Sequence, residues 1–419
     1  MDKIVVKGGS KLKGEVNISS AKNSVLPIIA GSILSANKCV INGVSMLEDV
    51  YVISDILKSI CADVDIDETN EKIVIDTKNI INKEADSELV KKMRASFLLM
   101  GPMLSRFGKF RISMPGGCNI GTRPIDLHLK GFTALGARVS IGHGYVECLA
   151  NKLIGNKIYL DFPSVGATEN IIMAAVMAEG ETIIENAAQE PEVEDLVNFL
   201  NSIGADIKGA GTGNVTIRGV KSLNDSVYVP IYDRIEAGTF MIAAAITKSR
   251  IKLNGIIEQH LKPIIAKLRE MGVTIDIKGH SAVVDGSQGL KTVDIKTMPY
   301  PGFPTDMQAQ MMALLSTIKG TSIITETIFE NRFMHVSEMK RMGANIKING
   351  RSAVIEGVDK LTGTDVKATD LRAGAALILC SLAAEGYTEI GDIYHIDRGY
   401  FKIEDKLKKL GAQIERVNR

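Results

Sequence analysis

The chain has 419 residues, of which 45% are hydrophobic and 24% charged, and its 50 Lys and Arg balance 49 Asp and Glu. That length favours two domains, and the balanced charge gives no reason to expect nucleic acid or an anionic membrane as a partner. The apolar runs are shorter than the roughly 20 residues that span a bilayer, and the opening residues do not have the pattern of a signal peptide. The five cysteines are scattered and fit no disulfide framework. We therefore expect a cytoplasmic protein.

The first predicted element is a strand pair, KGGSKLKGEVNIS, which has no helix of its own and which we expect to complete the last repeat. Six repeated units of about 70 residues follow, each containing a helix end, a small-residue turn and a strand. Glycine after a helix predicts a left-handed cap, and five of the six turns have one. The six turn positions are Cys61, Gly136, Gly204, Gly272, Gly343 and Gly411.

A second repeated sequence pattern alternates with the first and consists of an apolar helix, a polar or glycine turn and a β-rich stretch. The six helices are apolar on nearly every side, which indicates burial within a domain. They read LPIIAGSIL, FLLMGPML, NIIMAAVMA, FMIAAAIT, MQAQMMALL and AALILCSLAA. The other helix of each unit, as in KIEDKLKKL, is amphipathic, and we expect it to face water. A single large α/β core is the plainer alternative, but such cores do not repeat six times.

Six units divide most simply into two three-unit α/β domains. We predict a first domain over residues 22–230 and a second over residues 1–21 plus 231–419, so that the second contains both termini. Two such lobes with a cleft between them are expected to close like a hinge.

Positive side chains recur where the apolar helices begin, as in SSAKNS, KKMRAS, DRIEAGT and TDLRAG. A helix N-terminus offers free N–H groups and a partial positive charge, and Lys22, Arg94, Arg234 and Arg372 add full charges there. The set therefore favours a site for a small polyanion, whereas any one of these residues alone reads equally well as a cap or a surface ion pair.

The segment MPGGCNIGTRPIDLHLKG, at residues 114–131, places Cys118 in a glycine-rich loop with Arg123 five residues further on. A nearby cation favours the thiolate, so Cys118 is a candidate nucleophile or acid. The other cysteines read as inert: Cys39 and Cys148 in strands, Cys380 in an apolar helix and Cys61 at a helix cap. Asp306 opens another apolar helix, while Arg332 and Arg398 follow strands.

These segments together resemble the enolpyruvyl transferase family, and within it the members that act on UDP-N-acetylglucosamine. The resemblance runs over essentially the whole chain and rests on SSAKNS, KKMRAS, PGGCNIGTRPIDLH, FPTDMQAQ, FENRFMHVSEM, ATDLRAGAALIL and YHIDRGY in that order. It implies two inside-out α/β barrels, each with three repeated units of buried parallel helices surrounded by sheets. It also implies transfer of the enolpyruvyl group of phosphoenolpyruvate to the sugar 3-hydroxyl, the first committed step of peptidoglycan synthesis.

The resemblance also implies roles for individual residues. Cys118 would be the acid and could carry a covalent phospholactoyl or pyruvyl adduct, and Asp306 would take the hydroxyl proton. Lys22 and Arg398 would complete the catalytic set by holding the phosphate of phosphoenolpyruvate. The phosphoenolpyruvate ligands would be Lys22, Asn23, Arg123, Arg332, Arg372 and Arg398. The UDP-sugar ligands would be Asn23, Arg94, Arg123, Pro124, Ile125, Asp126, Leu127, Ser164, Val165, Gly166, Asp306 and Ile328. Phe162 and Pro163 stand where some family members carry Lys and Val. No metal or organic cofactor is implied.

Two other functions compete with this one. The nearest is 3-phosphoshikimate 1-carboxyvinyltransferase, which shares the fold and the cations that bind phosphoenolpyruvate, but the cysteine-bearing PGGCNIGTRP loop argues against it. The second is a non-catalytic repeat protein acting as a clamp on nucleic acid. A clamp needs a basic inner face, and the net charge of +1 and the apolar helices argue against one.

Overall fold

The computed structural model describes residues 2–114, 116, 120, 121 and 124–418. Its strands, numbered in chain order, are β1 Lys3–Lys7, β2 Lys13–Asn17, β3 Lys38–Asn42, β4 Asp63–Asp67, β5 Lys72–Asp76, β6 Lys109–Ser113, β7 Arg138–Gly142, β8 Tyr145–Leu149, β9 Lys157–Tyr159, β10 Glu181–Glu185, β11 Asp206–Lys208, β12 Asn214–Arg218, β13 Ser226–Tyr228, β14 Arg250–Asn254, β15 Thr274–Lys278, β16 Ser281–Asp285, β17 Ile295–Lys296, β18 Thr321–Thr325, β19 Asn345–Asn349, β20 Ser352–Glu356, β21 Asp365–Lys367, β22 Tyr387–Gly391 and β23 Gln413–Val417.

The α-helices are α1 Lys22–Gly31, α2 Glu48–Ser59, α3 Ser87–Lys92, α4 Met100–Phe107, α5 Asp126–Ala134, α6 Val165–Ala175, α7 Pro191–Ser202, α8 Arg234–Ile246, α9 Glu258–Met271, α10 Gln308–Leu315, α11 Val336–Arg341, α12 Leu371–Ala383, α13 Tyr394–Asp397 and α14 Ile403–Lys409. Short 3-10 helices at Ser32–Ser35, Arg94–Leu99 and Thr305–Met307 adjoin α1, α4 and α10.

The chain divides into two compact units. The first unit is Ser20–Cys118 with Thr122–Ile231, and the second is Met1–Ser19, Asn119–Gly121 and Tyr232–Arg419. The sheets of the first unit have the strand orders β13-β3-β5-β4, β11-β12-β10-β9 and β6-β8-β7. Those of the second unit are β15-β16-β14-β2, β17-β18-β20-β19 and β21-β22-β1-β23.

The four-stranded sheets share one pattern, in which a parallel pair lies at one edge and the other neighbours are antiparallel. The opening strand pair is divided between two of these sheets. Strand β1 lies between β22 and β23, where Ile4 pairs with Ile390 and Arg416, and β2 runs parallel to β14. The expectation that the opening segment completes the last repeat is therefore correct for β1 only, because β2 joins the sheet of β14 instead.

Both repeated turns have left-handed backbone at all six of their positions. After the outer helices, positive φ angles occur at Cys61, Gly136, Gly204, Gly272, Gly343 and Gly411. After the apolar helices, they occur at Ala36, Gly108, Gly180, Lys248, Gly320 and Gly386. Glycine adopts this conformation at little cost, but the fold imposes it equally on Cys61, Ala36 and Lys248. The repeat is thus conserved in backbone geometry even where the residue type departs from glycine.

The six apolar helices form the interior, as the sequence predicts. Every residue of α8 and of α10 is buried, and these two helices pack against each other and against α12 within the second unit. Strands such as β14 alternate buried and exposed residues, so each covers the helices with one face and meets water with the other.

The second helix of each unit does not always face water. Helices α2 and α7 are mostly buried because each packs against α1, so the expectation of a solvent-facing helix is wrong for these two units. Helix α9 is amphipathic as expected.

Candidate active site

Three of the predicted site residues meet in the second unit around a single carboxylate. Asp306 lies in the 3-10 helix before α10, Arg332 lies between β18 and α11, and Arg372 lies in the first turn of α12. Arg332 Nη2 donates to Asp306 Oδ1 at 2.9 Å, and Arg372 Nη2 and Nε donate to Oδ2 at 2.9 and 3.2 Å. The arginine side chains are 3% and 4% exposed, and the Asp306 side chain is 26% exposed. Two buried cations therefore share one anion, which is the outermost member of the cluster.

A buried polar group supports Arg372 and Asp306. The guanidinium of Arg372 lies over the ring of Tyr400, 5.4 Å from its centroid. The Tyr400 hydroxyl contacts Thr239 Oγ1 at 2.9 Å and accepts from Gln310 Nε2 at 3.1 Å. Gln310 Nε2 also donates to the Asp306 backbone carbonyl at 2.9 Å. These contacts fix the backbone beneath the Asp306 carboxylate.

The charges of the cluster are set by burial and by neighbours. Burial acts to lower the pKa of Arg372, but the charge interactions with Asp306, Tyr400 and Asp233 act in the opposite direction and together outweigh burial. The pKa of Arg372 is therefore raised. Burial lowers the pKa of His335 to about 4, although the carboxylate of Asp370 acts in the opposite direction. His335 is therefore neutral near pH 7 and adds no third positive charge beside the arginines.

The start of α12 is fixed by its own cap. Asp370 Oδ1 accepts from the backbone N–H groups of Arg372 and Ala373 at 2.9 and 3.1 Å. A carboxylate at a helix N-terminus satisfies orphan donors and favours the helix dipole. The cap therefore orients the helical turn that carries Arg372.

The remaining predicted residues of the second unit lie at its partly exposed positions. Arg398 directly follows the short helix α13, and its charge contributes to a lowered pKa of His395, for which burial is the largest cause. Ile328 is half-buried, and its backbone N–H donates to Glu326 Oε1 at 2.8 Å.

In the first unit, Lys22 forms an ion pair with Asp49. It is the first residue of α1, and its Nζ lies 3.0 Å from Asp49 Oδ2, with side-chain exposures of 13% and 3%. Asn23 is exposed beside it, and Arg94 is half-buried at the start of the 3-10 helix before α4. Asp49 is a residue that the sequence reading did not single out.

The start of α6 carries three of the predicted UDP-sugar ligands. Ser164 caps this helix, with its Oγ accepting from the Ala167 N–H at 3.4 Å, and Val165 and Gly166 form the first turn. A side chain at position 166 would meet His128, because a Cβ built there lies 3.3 Å from His128 Cε1. Glycine therefore lets the imidazole approach the helix N-terminus.

His128 has a defined tautomer. Asn170 Nδ2 donates to the Phe97 carbonyl at 2.9 Å and Asn170 Oδ1 accepts from the Gly101 N–H at 2.6 Å, which fixes the amide orientation. Nδ2 also lies 3.0 Å from His128 Nδ1, which must then accept, so the proton sits on Nε2. Burial and the charge of Arg94 lower the pKa of His128 to about 3, so the ring is neutral. A neutral N–H donor thus lies beside Gly166.

The segment before α5 is only partly described. Pro124 and Asp126 are exposed, Ile125 is buried and Leu127 is half-buried. Cys118 and Arg123 lie outside the described residues, and their predicted roles stay predictions.

The other cysteines are free and lie where the sequence places them. Burial raises the pKa of Cys39, and raises that of Cys148 and Cys380 to about 12, while Cys61 is exposed after α2. The three buried thiols are therefore protonated near pH 7 and unreactive.

Several supporting residues were missed by the sequence reading. They are Asp49, Gln310, Tyr400, His335, Asp370, His128 and Asn170. For Gln310 and Asn170 a signal was available, since each is a polar residue within an otherwise apolar helix and a buried amide needs partners. Tyr400 and His335 sit in irregular segments, where no such pattern marks them.

No group of three His, Cys, Asp or Glu residues in the described part of the chain could hold a metal ion. Among the same residues, no helix is both long enough and apolar enough to cross a membrane.

Comparison with known proteins places the chain in a family. The family model for EPSP synthase (3-phosphoshikimate 1-carboxyvinyltransferase) matches residues 6–407. The chain therefore belongs to this family of enolpyruvyl transferases.

Curated relatives within the family match the chain over its full length. It is 72% identical to UDP-N-acetylglucosamine 1-carboxyvinyltransferase 2 of Clostridium tetani, over 417 residues that cover 100% of both chains. It is 68% identical to UDP-N-acetylglucosamine 1-carboxyvinyltransferase 1 of Clostridium acetobutylicum, again with 100% of both chains covered. Among solved structures, it resembles the enolpyruvyl transferase NikO from Streptomyces tendae with a TM-score of 0.90 and 26% identity, over 100% of this chain and 99% of that one. The predicted α/β fold class is thus confirmed.

Proposed function

We propose that the chain transfers the enolpyruvyl group of phosphoenolpyruvate to the 3-hydroxyl of UDP-N-acetylglucosamine and releases phosphate. The geometric observation that carries the proposal is the pair of buried arginines, Arg332 and Arg372, gathered on one carboxylate. Paired guanidinium groups suit planar, two-oxygen anions, and phosphoenolpyruvate supplies such a carboxylate. The curated relatives are named for the UDP-sugar acceptor, which favours it over shikimate 3-phosphate.

The proposed ligands of phosphoenolpyruvate fall into two groups. Arg332 and Arg372 hold its carboxylate, while Lys22, Arg123 and Arg398 hold its phosphate, with Asn23 beside them. The Lys22–Asp49 ion pair supports this assignment, because Asp49 fixes the lysine side chain at the start of α1.

The proposed UDP-sugar ligands lie at helix starts and in the adjoining loops. The turn at Ser164, Val165 and Gly166 presents N–H groups at the N-terminus of α6, which suits the diphosphate. The other contacts are Asn23, Arg94, Arg123, Pro124, Ile125, Asp126, Leu127, Asp306 and Ile328.

The chemistry proceeds by addition and elimination. Cys118 donates a proton to the methylene carbon of phosphoenolpyruvate, which makes the neighbouring carbon electrophilic, and Asp306 accepts the proton of the attacking 3-hydroxyl. The new C–O bond gives a tetrahedral ketal that carries phosphate and carboxylate, stabilised by cations already in place. Loss of a methyl proton and of phosphate then leaves the vinyl ether.

These steps are redox-neutral and balance with side-chain acids, bases and cations, so we propose that no cofactor takes part. A phospholactoyl or pyruvyl adduct on Cys118 is consistent with the same electrophilic carbon. The product is a peptidoglycan precursor, so the enzyme acts in cell-wall synthesis, and thereby in cell shape and division, and its nucleotide substrate indicates the cytoplasm.

The test is phosphate release from phosphoenolpyruvate with each acceptor in turn. UDP-N-acetylglucosamine should support stoichiometric release and a product heavier by the enolpyruvyl group, measured by mass spectrometry. Release with shikimate 3-phosphate alone would transfer the assignment to the sister enzyme. Tight DNA binding at physiological salt without turnover would favour the clamp instead.

A further inference from the structure

We infer that Asp306 occupies the subsite for the substrate carboxylate and must leave it before phosphoenolpyruvate binds. The inference rests on the proposed function and concerns the regulation of the same site. It starts from the three N–H···O contacts that join Asp306 to Arg332 and Arg372.

The Asp306 carboxylate has the charge and shape of the ligand that the arginines are proposed to bind. Each of its two oxygens takes one guanidinium, which is how a substrate carboxylate would divide itself between the two residues. An incoming carboxylate cannot take the same N–H groups while Asp306 holds them. Substrate and side chain therefore compete for one subsite.

Burial explains why the subsite is filled. A buried cation without a counter-ion is costly, and both arginines are almost inaccessible to water. Asp306 supplies the missing negative charge until a ligand does. Because it is the most exposed of the three, it is also the group that a ligand from solvent meets first.

The local structure allows the exchange without unfolding. The backbone around Asp306 is fixed by Gln310 Nε2 on its carbonyl and by the contact of Thr305 Oγ1 with Glu326 Oε2 at 2.8 Å. Rotation of the side chain alone can therefore release the carboxylate. Arg372 Nη1 is buried and has no hydrogen-bond partner among the described residues, so this guanidinium retains a donor for a second acceptor.

The exchange couples substrate binding to activation of the base. A carboxylate that accepts three N–H bonds is poorly placed to take a hydroxyl proton. Once phosphoenolpyruvate takes over the arginines, the freed carboxylate can do so. The same displacement thus fills the subsite and produces the base.

The experiment is calorimetric titration of phosphoenolpyruvate, without acceptor, into the wild-type chain and Asp306→Asn. The neutral amide cannot pair with both arginines, so we expect the variant to bind phosphoenolpyruvate about 10-fold more tightly or better. Its Tm without ligand should fall, and phosphoenolpyruvate should raise that Tm by more than it raises the wild-type value. Asp306→Ser, which is also neutral, should behave in the same way.

The control is Asp359→Asn, which removes the same charge from the same unit but from an exposed ion pair with Lys319. It should bind phosphoenolpyruvate like the wild-type chain. Equal or weaker binding by Asp306→Asn and Asp306→Ser would overturn the inference while leaving the proposed function intact, provided that the wild-type chain releases phosphate with UDP-N-acetylglucosamine. Absence of that release would instead remove the proposed function itself.

Discussion

The amide of Asn170 is a small group on which the interior of the first unit depends. Its side chain is fully buried and joins α6 to the Phe97 carbonyl, the Gly101 N–H and His128 Nδ1. Asn170→Leu keeps much of the volume and removes all three partners. The Phe97 carbonyl still accepts from the Met100 N–H, so two buried groups are left unsatisfied. Each costs about 1–3 kcal/mol, so the free energy of unfolding should fall by about 2–6 kcal/mol.

The measurement is urea unfolding followed by far-ultraviolet circular dichroism, since the chain contains no Trp. The matched control is Asn345→Ala, which removes one exposed hydrogen bond to Glu356 and should cost less than about 0.5 kcal/mol. If Asn170→Leu costs no more than the control, the buried amide has no such role.

A second substitution at the same position tests the protonation state of His128. In the wild-type chain the folded pKa is lowered to about 3, so the unfolded chain takes up this proton first as pH falls. The stability contributed by the neutral ring is therefore present above about pH 6.5 and is lost progressively toward pH 3. The loss amounts to about 2 kcal/mol at pH 5. Asn170→Asp places a carboxylate beside Nδ1, which should raise the folded pKa of His128 and reduce this loss. An unchanged pH dependence would contradict the lowered pKa of His128 and its attribution to this buried site.

Three further predictions concern other positions. Burial and the charges of Glu192 and Glu190 raise the pKa of Glu169, so its neutral form is stable in the fold and the unfolded chain ionises first as pH rises above about 4.5. Glu169→Gln should therefore be more stable than wild type near pH 7, with a gain that disappears toward pH 4, and a pH-independent difference in urea unfolding would count against this. Gly101→Ala should lower the free energy of unfolding by about 1–3 kcal/mol, although alanine favours helices, because its Cβ would lie 2.3 Å from the Asn170 carbonyl oxygen. The control is Gly289→Ala, where a Cβ would meet open space, and equal losses for the two variants would refute the clash. Cys118→Ala should abolish phosphate release near neutral pH whereas Cys118→Asp retains some, since either a thiol or a carboxyl need only deliver a proton; full activity of Cys118→Ala would exclude the acid role.

The repeat architecture could be predicted from the sequence because it depends on local chemistry. All-apolar helices predicted the interior, and α8 and α10 are buried over their whole length. Glycine after a helix predicted five left-handed turns, and the structure adds Cys61 as the sixth. The prediction that the second helix of each unit faces water was wrong for α2 and α7, because amphipathic spacing does not tell how many neighbouring elements cover the polar side.

The candidate site was predictable only in its charged members. Asp306 and Arg372 stood out by motif and by position at helix starts, and Arg332 stood out by a motif that follows a strand, although their roles stay predictions. The pairing of Asp306 with both arginines depends on how three segments that are distant in sequence pack against one another. No spacing within a single segment encodes such a contact.

Local sequence is enough to specify which segments become helices, where their caps turn, and which side chains carry charge toward one end of each helix, since these depend on neighbours within a few residues. Packing between remote segments specifies which charges neutralise one another, which histidines lose their protons, and which amides hold the interior together. Those properties depend on burial and on distances of a few ångström between remote segments, because desolvation and partner geometry govern the energy of a charge far more than its residue type does.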